Sequence, residues 1–366
     1  MPRSYNAPGV RLSLGAGNNT DQVRELQADL RALGYLHHGI DGDFGSGTEQ
    51  AVRCLQHDLI NAGRGRLDRG GDVTPGDGLA PVAVRDYNVD ANGVRIVNAI
   101  DGTVDTALAG CIERMLADPR FPKIPRSVTP ALDNKRALLA IANSTSARAP
   151  APFILAMVRQ ESNSRHYREP TTNDADDFVT IGLDRNRRDS NGSVVKDSIT
   201  SRGYGVGQYT IFHHPPRAEE VSGFIVDPLN NVSHAFAELR LKFDRFVVGP
   251  DSRADDRTAE HAMLGMRLCK YPPADKRYLK DCRNCALAVR KVDIAEGTPL
   301  YVGASKAYRT TDNYRIMEYR GVPVRAEFPC DWPYAARRYN GGGIDSFHYQ
   351  TRILLNLAYA PPPAPE

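Results

Sequence analysis

Apolar positions recur at spacings of three and four over 20–34, TDQVRELQADLRALG, where Val23, Leu26, Leu30 and Leu33 share one face. That period predicts an amphipathic helix. Thr20 reads as its N-cap and Gly34 as its C-cap glycine. The loop YLHHGIDGDFGSG follows, dense in glycine and aspartate as turns require. A second helix is expected from about Thr48, with Glu49, Ala51, Val52 and Leu55 in its first turns. The stretch 61–97 is rich in Gly, Asp and Arg, lacks a period, and reads as a surface excursion. Residues 100–116, IDGTVDTALAGCIERML, repeat the loop-then-helix order in shorter form. Pro119, Pro122, Pro125 and Pro130 then mark a linker.

From Asp133 the pattern turns strongly helical. DNKRALLAIANSTSA predicts one helix and APAPFILAMVRQES the next, with Pro152 near its first turn. Residues 170–202 are polar and irregular, with a β-like piece FVTIGLD. Helices are expected again at 224–247, 257–269, 333–338 and 346–358. Residues 288–327 read as partly β, for example TPLYVGAS, and the tail PPPAPE as disordered. The expected organisation is a module over 1–118 with its excursion at 61–97, a linker over 119–132, a second domain over 133–358 and a tail over 359–366. The fold class expected is mainly α.

Composition narrows the choices. A chain of 366 residues suits two domains. With 41% hydrophobic and 25% charged residues it is ordinary globular material. A net charge of only +3 gives no basic field, so nucleic acid is not an expected partner. No apolar run is long enough for a membrane span. The opening MPRSYNAPGVRLSLGAG has no apolar h-region, so synthesis in the cytoplasm without a signal peptide is expected.

The N-terminal pattern resembles the peptidoglycan-binding domain of many cell-wall hydrolases. The matching positions are Val23, Leu26, Gln27, Leu30, Gly34, Tyr35, Asp41, Gly42, Phe44, Gly45, Thr48, Ala51, Val52 and Gln56, with IDGTVDTAL as the closing piece. The resemblance implies a small three-helix module and bacterial peptidoglycan as partner. Read on their own chemistry, Gly42 and Gly45 permit tight backbone, Phe44 plugs a core, and Asp41 bonds local amides.

Three short motifs follow in order: AMVRQES, ending in Glu161 and Ser162; GYGVGQYT over 203–210; and AARRYNGGG over 335–343. Each alone is weak. Together they resemble the lysozyme-like fold of soluble lytic transglycosylases and goose-type lysozymes, an α+β catalytic domain. Cleaving a glycosidic bond needs a carboxylic acid that holds its proton near neutrality, and burial against an apolar helix does that. Glu161 follows FILAMV and is the candidate general acid. Ser162 either orients that carboxyl or simply ends its helix. Gly207 and its neighbouring glycines would bring backbone near the sugars, and Gln208 would bond an N-acetyl group or the acid. By the resemblance, Tyr339 and Asn340 support the acid and the reacting sugar. Tyr204 and Tyr209 are candidates for stacking on sugar faces, against the plainer reading of core aromatics.

The long insert 162–202 departs from that pattern. It carries Asp174, Asp176, Asp177, Asp184, Asp189 and Asp197. A hydrolase needs a second carboxylate, and Asp174, Asp177 and Asp184 are the candidates. A lytic transglycosylase does not, because the substrate's own C6 hydroxyl attacks. Neither a cofactor nor a catalytic metal is implied.

Of six cysteines, Cys54 and Cys111 sit in apolar helical patterns. Cys269, Cys282, Cys285 and Cys330 are compatible with disulfides, free thiols or a zinc site. The leading expectation is a muramidase or lytic transglycosylase that cleaves the MurNAc–GlcNAc bond. It would act as a phage endolysin or as a secreted antibacterial effector, the latter with an immunity protein or secretion-machine partner. The alternatives are a non-catalytic peptidoglycan-binding wall protein and a chitinase-like hydrolase.

Overall fold

The computed structural model describes residues 2–64, 79–144, 149–185, 196–248, 267–293, 295, 322–324, 327–341 and 344–359. The chain is mainly helical with a small antiparallel sheet. It divides into two compact units that do not follow chain order: Met1–Asn134 with Arg165–Asn231, and Lys135–Ser164 with Val232–Glu366. The segment 165–231, read from sequence as part of the second domain, thus belongs with the N-terminal module. Among the described residues no helix is long and apolar enough to cross a membrane.

In the first unit, α1 (Thr20–Ala32), α2 (Ser46–Asn61) and α3 (Thr106–Ala117) bury one core. Val23, Leu26, Leu30 and Leu33 are fully inside it, as the period requires, and Phe44 plugs it at 3% exposure. Each such side chain is worth roughly 1.5–3 kcal/mol on burial. The N-cap of α1 is Asn19 rather than Thr20: its Oδ1 accepts from Asp21 and Gln22 amides at 3.0 and 3.2 Å. Gly34 takes φ +80° beyond the helix end while the Tyr35 amide reaches back to the Leu30 carbonyl at 2.8 Å.

Two loops of this unit are built alike. Gln27 of α1 donates to Asp41 Oδ1 at 2.8 Å and accepts from the Gly42 amide at 2.8 Å. Gln56 of α2 donates to Asp101 Oδ1 at 2.8 Å and accepts from the Gly102 amide at 2.9 Å. A buried glutamine thus pins each Ile-Asp-Gly turn, with both glycines at positive φ. The repeat of loop and helix seen along the chain is a repeat of hydrogen bonding.

Two sequence expectations fail here. Within 61–97, residues 65–78 lie outside the described residues. Val82, Val84, Tyr87 and Val97 enter the core instead of lying on a surface excursion. Asn88, fully buried, holds that segment by bonding the Leu59 and Val97 carbonyls at 3.1 and 2.8 Å. The stretch 119–132 is not a free connector either: Phe121 is 0% exposed and Ile124 3%. An apolar side chain every few residues overrides the proline signal.

The sheet of this unit is antiparallel in the order β1 (Ile181–Asp184), β2 (Ser201–Tyr204), β3 (Tyr209–Ile211), with Gly182 opposite Gly203. After it comes the short α6 (Ala218–Glu220), which runs into a π-helical turn over Val221–Ile225; α4 (Pro130–Ala142) precedes the sheet in the chain and falls mostly within the second unit.

The second unit is built on α5 (Ala151–Ser162), whose Phe153, Ile154, Ala156, Met157 and Val158 are buried. It packs on the long α10 (Ile344–Tyr359). Also in contact are α8 (Cys282–Leu287) and α9 (Trp332–Tyr339). The helix expected over 224–247 is broken: α7 spans Pro228–Lys242 and continues as a π-helical stretch over Phe243–Val248. Phe243 meets Trp332 with ring centroids 4.4 Å apart. Most of the helix expected at 257–269 and the strand TPLYVGAS lie outside the described residues, as does Asp189. Two residues of β4 (Lys291–Val292) pair with β5 (Val322–Pro323).

Candidate active site and peptidoglycan-binding module

Glu161 occupies the last turn of α5. The helix stops abruptly there, because Asn163 and Ser164 adopt left-handed backbone at φ 53° and 63°. The Glu161 side chain keeps partial exposure. Desolvation nevertheless pushes its carboxyl above the usual range. The negative end of the helix works in the same direction.

Two phenols face that carboxyl. The Tyr349 hydroxyl, from α10, stabilises the Glu161 anion and pulls against the desolvation. Tyr339, at the end of α9, is raised by burial and then by the Glu161 charge. Tyr349 is raised in the same way, with the Tyr339 charge adding to it. Glu161, Tyr339 and Tyr349 therefore form one electrostatic cluster inside the second unit. Tyr349 was missed from sequence. Its only signal is a tyrosine on the polar-to-apolar boundary of an amphipathic helix, which is too common to single out.

The remaining candidates of this unit separate. Ser162 donates to the Val158 carbonyl at 2.8 Å, the pattern of a serine closing its own helix. Asn340 is exposed at the C-cap of α9.

Tyr204, Gly207, Gln208 and Tyr209 belong to the first unit, at the β2–β3 turn. Tyr204 is wholly buried in the core, which removes it as a stacking platform for sugar. Tyr209 instead stacks on Phe224 at 4.8 Å and 16°, and both rings keep exposed area. The Gly207 amide donates to Asn231 Oδ1 at 2.7 Å, and Asn231 in turn bonds the Tyr204 carbonyl at 2.9 Å. Gln208 has φ 51° and donates to the Gly205 carbonyl at 2.7 Å. Its side chain lies over Gly182 and Gly203, where a Cβ would have to displace it. His166 was also missed. Its Nδ1 accepts from the Val206 amide at 3.3 Å and its Nε2 faces the Ile225 carbonyl at 2.9 Å. Burial lowers it to about 4, so it holds the turn as neutral imidazole.

Two of the candidate aspartates are committed elsewhere. Asp174 accepts from the Ile40 amide at 2.8 Å and the Asp176 amide at 3.0 Å, and pairs with Arg168 at 2.7 Å. These bonds outweigh desolvation and lower its pKa. Asp177 pairs with Arg126 through both oxygens, at 2.6 and 3.1 Å. Both carboxylates are thus engaged in ion pairs within the first unit. Asp184 is exposed at the end of β1.

Around α1 the first unit also carries an open polar hollow of about 290 Å³. Ala16, Asn18, Thr20, Asp41, Gly42, Asp43 and Phe44 line it. Three of these, Asp41, Gly42 and Asp43, lie in the turn that Gln27 pins, so the hollow has a fixed floor.

No curated protein and no solved structure matches the chain. Residues 19–59, which span α1, the Gln27-pinned turn and most of α2, match the family described as Putative peptidoglycan binding domain, and peptidoglycan association is what this part of the chain supports.

Proposed function

We propose that the chain binds peptidoglycan through its N-terminal module and cleaves the glycan strand with Glu161 as the proton donor. The observation that carries the reading is Glu161 itself: a carboxyl raised by desolvation, in a residue that keeps partial exposure, at a helix end and electrostatically coupled to two phenols. A protonated carboxyl gives its proton to the glycosidic oxygen as the bond to the anomeric carbon breaks. The resulting carboxylate then takes the proton of whichever hydroxyl attacks that carbon. Tyr349 steadies the charge that Glu161 carries between the two steps.

Of the two routes, attack by the substrate's own C6 hydroxyl is favoured over attack by water. Water needs a second carboxylate as base. Asp174 and Asp177 are held in ion pairs. Asp184, exposed at the end of β1, is the remaining candidate base, so the C6 route predicts a 1,6-anhydro-muramic end that persists in Asp184→Asn.

The test is digestion of purified sacculi by the wild-type chain and by Glu161→Gln, with products identified by mass spectrometry. Anhydro ends from wild type, and their loss in the variant, support the reading. Undigested sacculi with wild type would leave a binding protein. Reducing ends would show a hydrolase.

A further inference from the structure

Cys269, Cys282, Cys285 and Cys330 come from three separate segments of the second unit, yet all four line one small, largely apolar pocket. Phe153, Leu279 and Trp332 close it, and Lys270 and Asp281 stand at its edge. In the structure all four are thiols. Among the described residues no three His, Cys, Asp or Glu side chains are disposed to hold a metal ion. We propose that this pocket is a double disulfide site, in which Cys282 bridges to Cys330 and Cys269 to Cys285.

The pairing follows desolvation. Cys330, Cys282 and Cys285 are similarly buried at 7%, 8% and 9% exposure, and desolvation drives the Cys282 and Cys330 thiols farthest above the ordinary range. Cys269 is the most exposed of the four, and Cys285 has Lys270 as a neighbour whose ammonium offsets its desolvation. All four thiols are coupled electrostatically: Cys330 feels the charge of Cys282 and then Cys285, Cys282 feels those of Cys285 and Cys269, and Cys285 feels that of Cys269. So paired, the bridges tie α8 both to the segment before it and to the segment that leads into α9.

The chemistry is thiol–disulfide exchange with a low-molecular-weight disulfide. The Cys285 thiolate, helped by Lys270, attacks one sulfur of the oxidant and expels the other half as a thiol. The Cys269 thiolate then attacks the mixed disulfide and expels the second half. Two protein thiols are oxidised, one oxidant disulfide is reduced to two thiols, and the two protons end on those leaving thiols. The inner bridge forms by the same two exchanges. The inference rests on peptidoglycan association, since that polymer lies where disulfides persist. It does not depend on glycan cleavage.

The test equilibrates the purified full-length chain with a glutathione couple, once strongly oxidising and once strongly reducing. Free thiols are then alkylated under denaturing conditions, and non-reduced peptides are mapped by mass spectrometry. The expected result in oxidant is that only Cys54 and Cys111 are alkylated, with linked peptides for Cys282–Cys330 and Cys269–Cys285. The thermal midpoint should be higher in oxidant than in reductant, and that difference should shrink, without vanishing, in the double variant Cys282→Ser, Cys330→Ser, which keeps the Cys269–Cys285 bridge. Four alkylated pocket cysteines in the oxidising arm would overturn the proposal. So would a Cys282–Cys285 bridge, or stoichiometric zinc in the protein that blocks both bridges.

Discussion

The guanidinium of Arg31 in α1 lies 3.0 Å from the carboxylate of Asp176, and both side chains are completely buried. Arg168 reaches the same carboxylate at 2.7 Å. Arg31 also donates to the Leu36 and Val179 carbonyls at 2.7 and 3.1 Å, so it spans from the peptidoglycan-binding module to the strand region. This contact is one of several that join 165–231 to the module, with Arg53–Asp197 and the Ile40 amide to Asp174 among the others. Removing one member of a buried pair leaves the other charge uncompensated, at a cost of about 3–5 kcal/mol. Asp176→Ala should therefore lower the denaturation free energy of the first unit by that amount. A loss below about 1 kcal/mol in urea titration would show that the contact is dispensable.

Phe121 sits in a proline-marked stretch but is buried with Tyr87 and His214 around it, at 5.9 and 5.5 Å between ring centroids. Phe121→Ala should cost about 3–5 kcal/mol, as large-to-small changes in a packed core do. A connector residue would cost nothing measurable, so thermal unfolding of the variant separates the two.

Glu161 also links to stability. Its folded-state pKa is raised above the unfolded value, so its protonated form is favoured by folding. The contribution is fully present below the unfolded pKa and is lost as pH rises through the folded one. Glu161→Gln should accordingly be more stable than wild type near neutrality, with the gap closing below about pH 4, near the ordinary glutamate range. Equal melting curves at pH 7 would mean that the carboxyl is not desolvated in solution.

Tyr349→Phe removes the hydroxyl that holds the Glu161 anion. The Glu161 pKa should then rise further, moving the alkaline limb of the glycan-cleavage pH profile upward. The rate on the plateau should fall by roughly ten- to a hundredfold, at the low end of what proton-transfer support contributes. An unshifted limb with an unchanged rate would place Tyr349 in the packing alone.

Asp184→Asn discriminates the two routes. With C6-hydroxyl attack the variant should keep near-full activity and anhydro products. A loss of about a hundredfold or more, typical of a missing general base, would make Asp184 that base and the reaction a hydrolysis.

Local signals in the chain were legible where one period decided the outcome. The apolar stripe of α1, the glycine after it and the Phe44 plug all stand where the pattern places them. The Asp-Gly turns were legible too, and Gln27 and Gln56 stand among the matching positions, but their hydrogen bonds to those turns were not legible, because each looks like an ordinary polar helix position. What could not be read was long-range pairing. Asp174 and Asp177 are acidic loop residues in the sequence, and only the fold brings Arg168 and Arg126 to them. Likewise Tyr349 lies far along the chain from Glu161, and the tyrosine of the glycine-rich motif, Tyr204, could not be told from an exposed one by its neighbours.

The interleaving of the two units has a consequence for biosynthesis. The first unit needs residues up to 231, and the second takes 135–164 early but waits for α10 at 344–359 to cover α5. During translation the apolar face of α5 leaves the ribosome nearly two hundred residues before its partner, α10. At about 5–20 residues per second that interval lasts roughly ten to forty seconds. A nascent chain of this protein therefore offers a chaperone a defined substrate, the segment FILAMV, for a defined time.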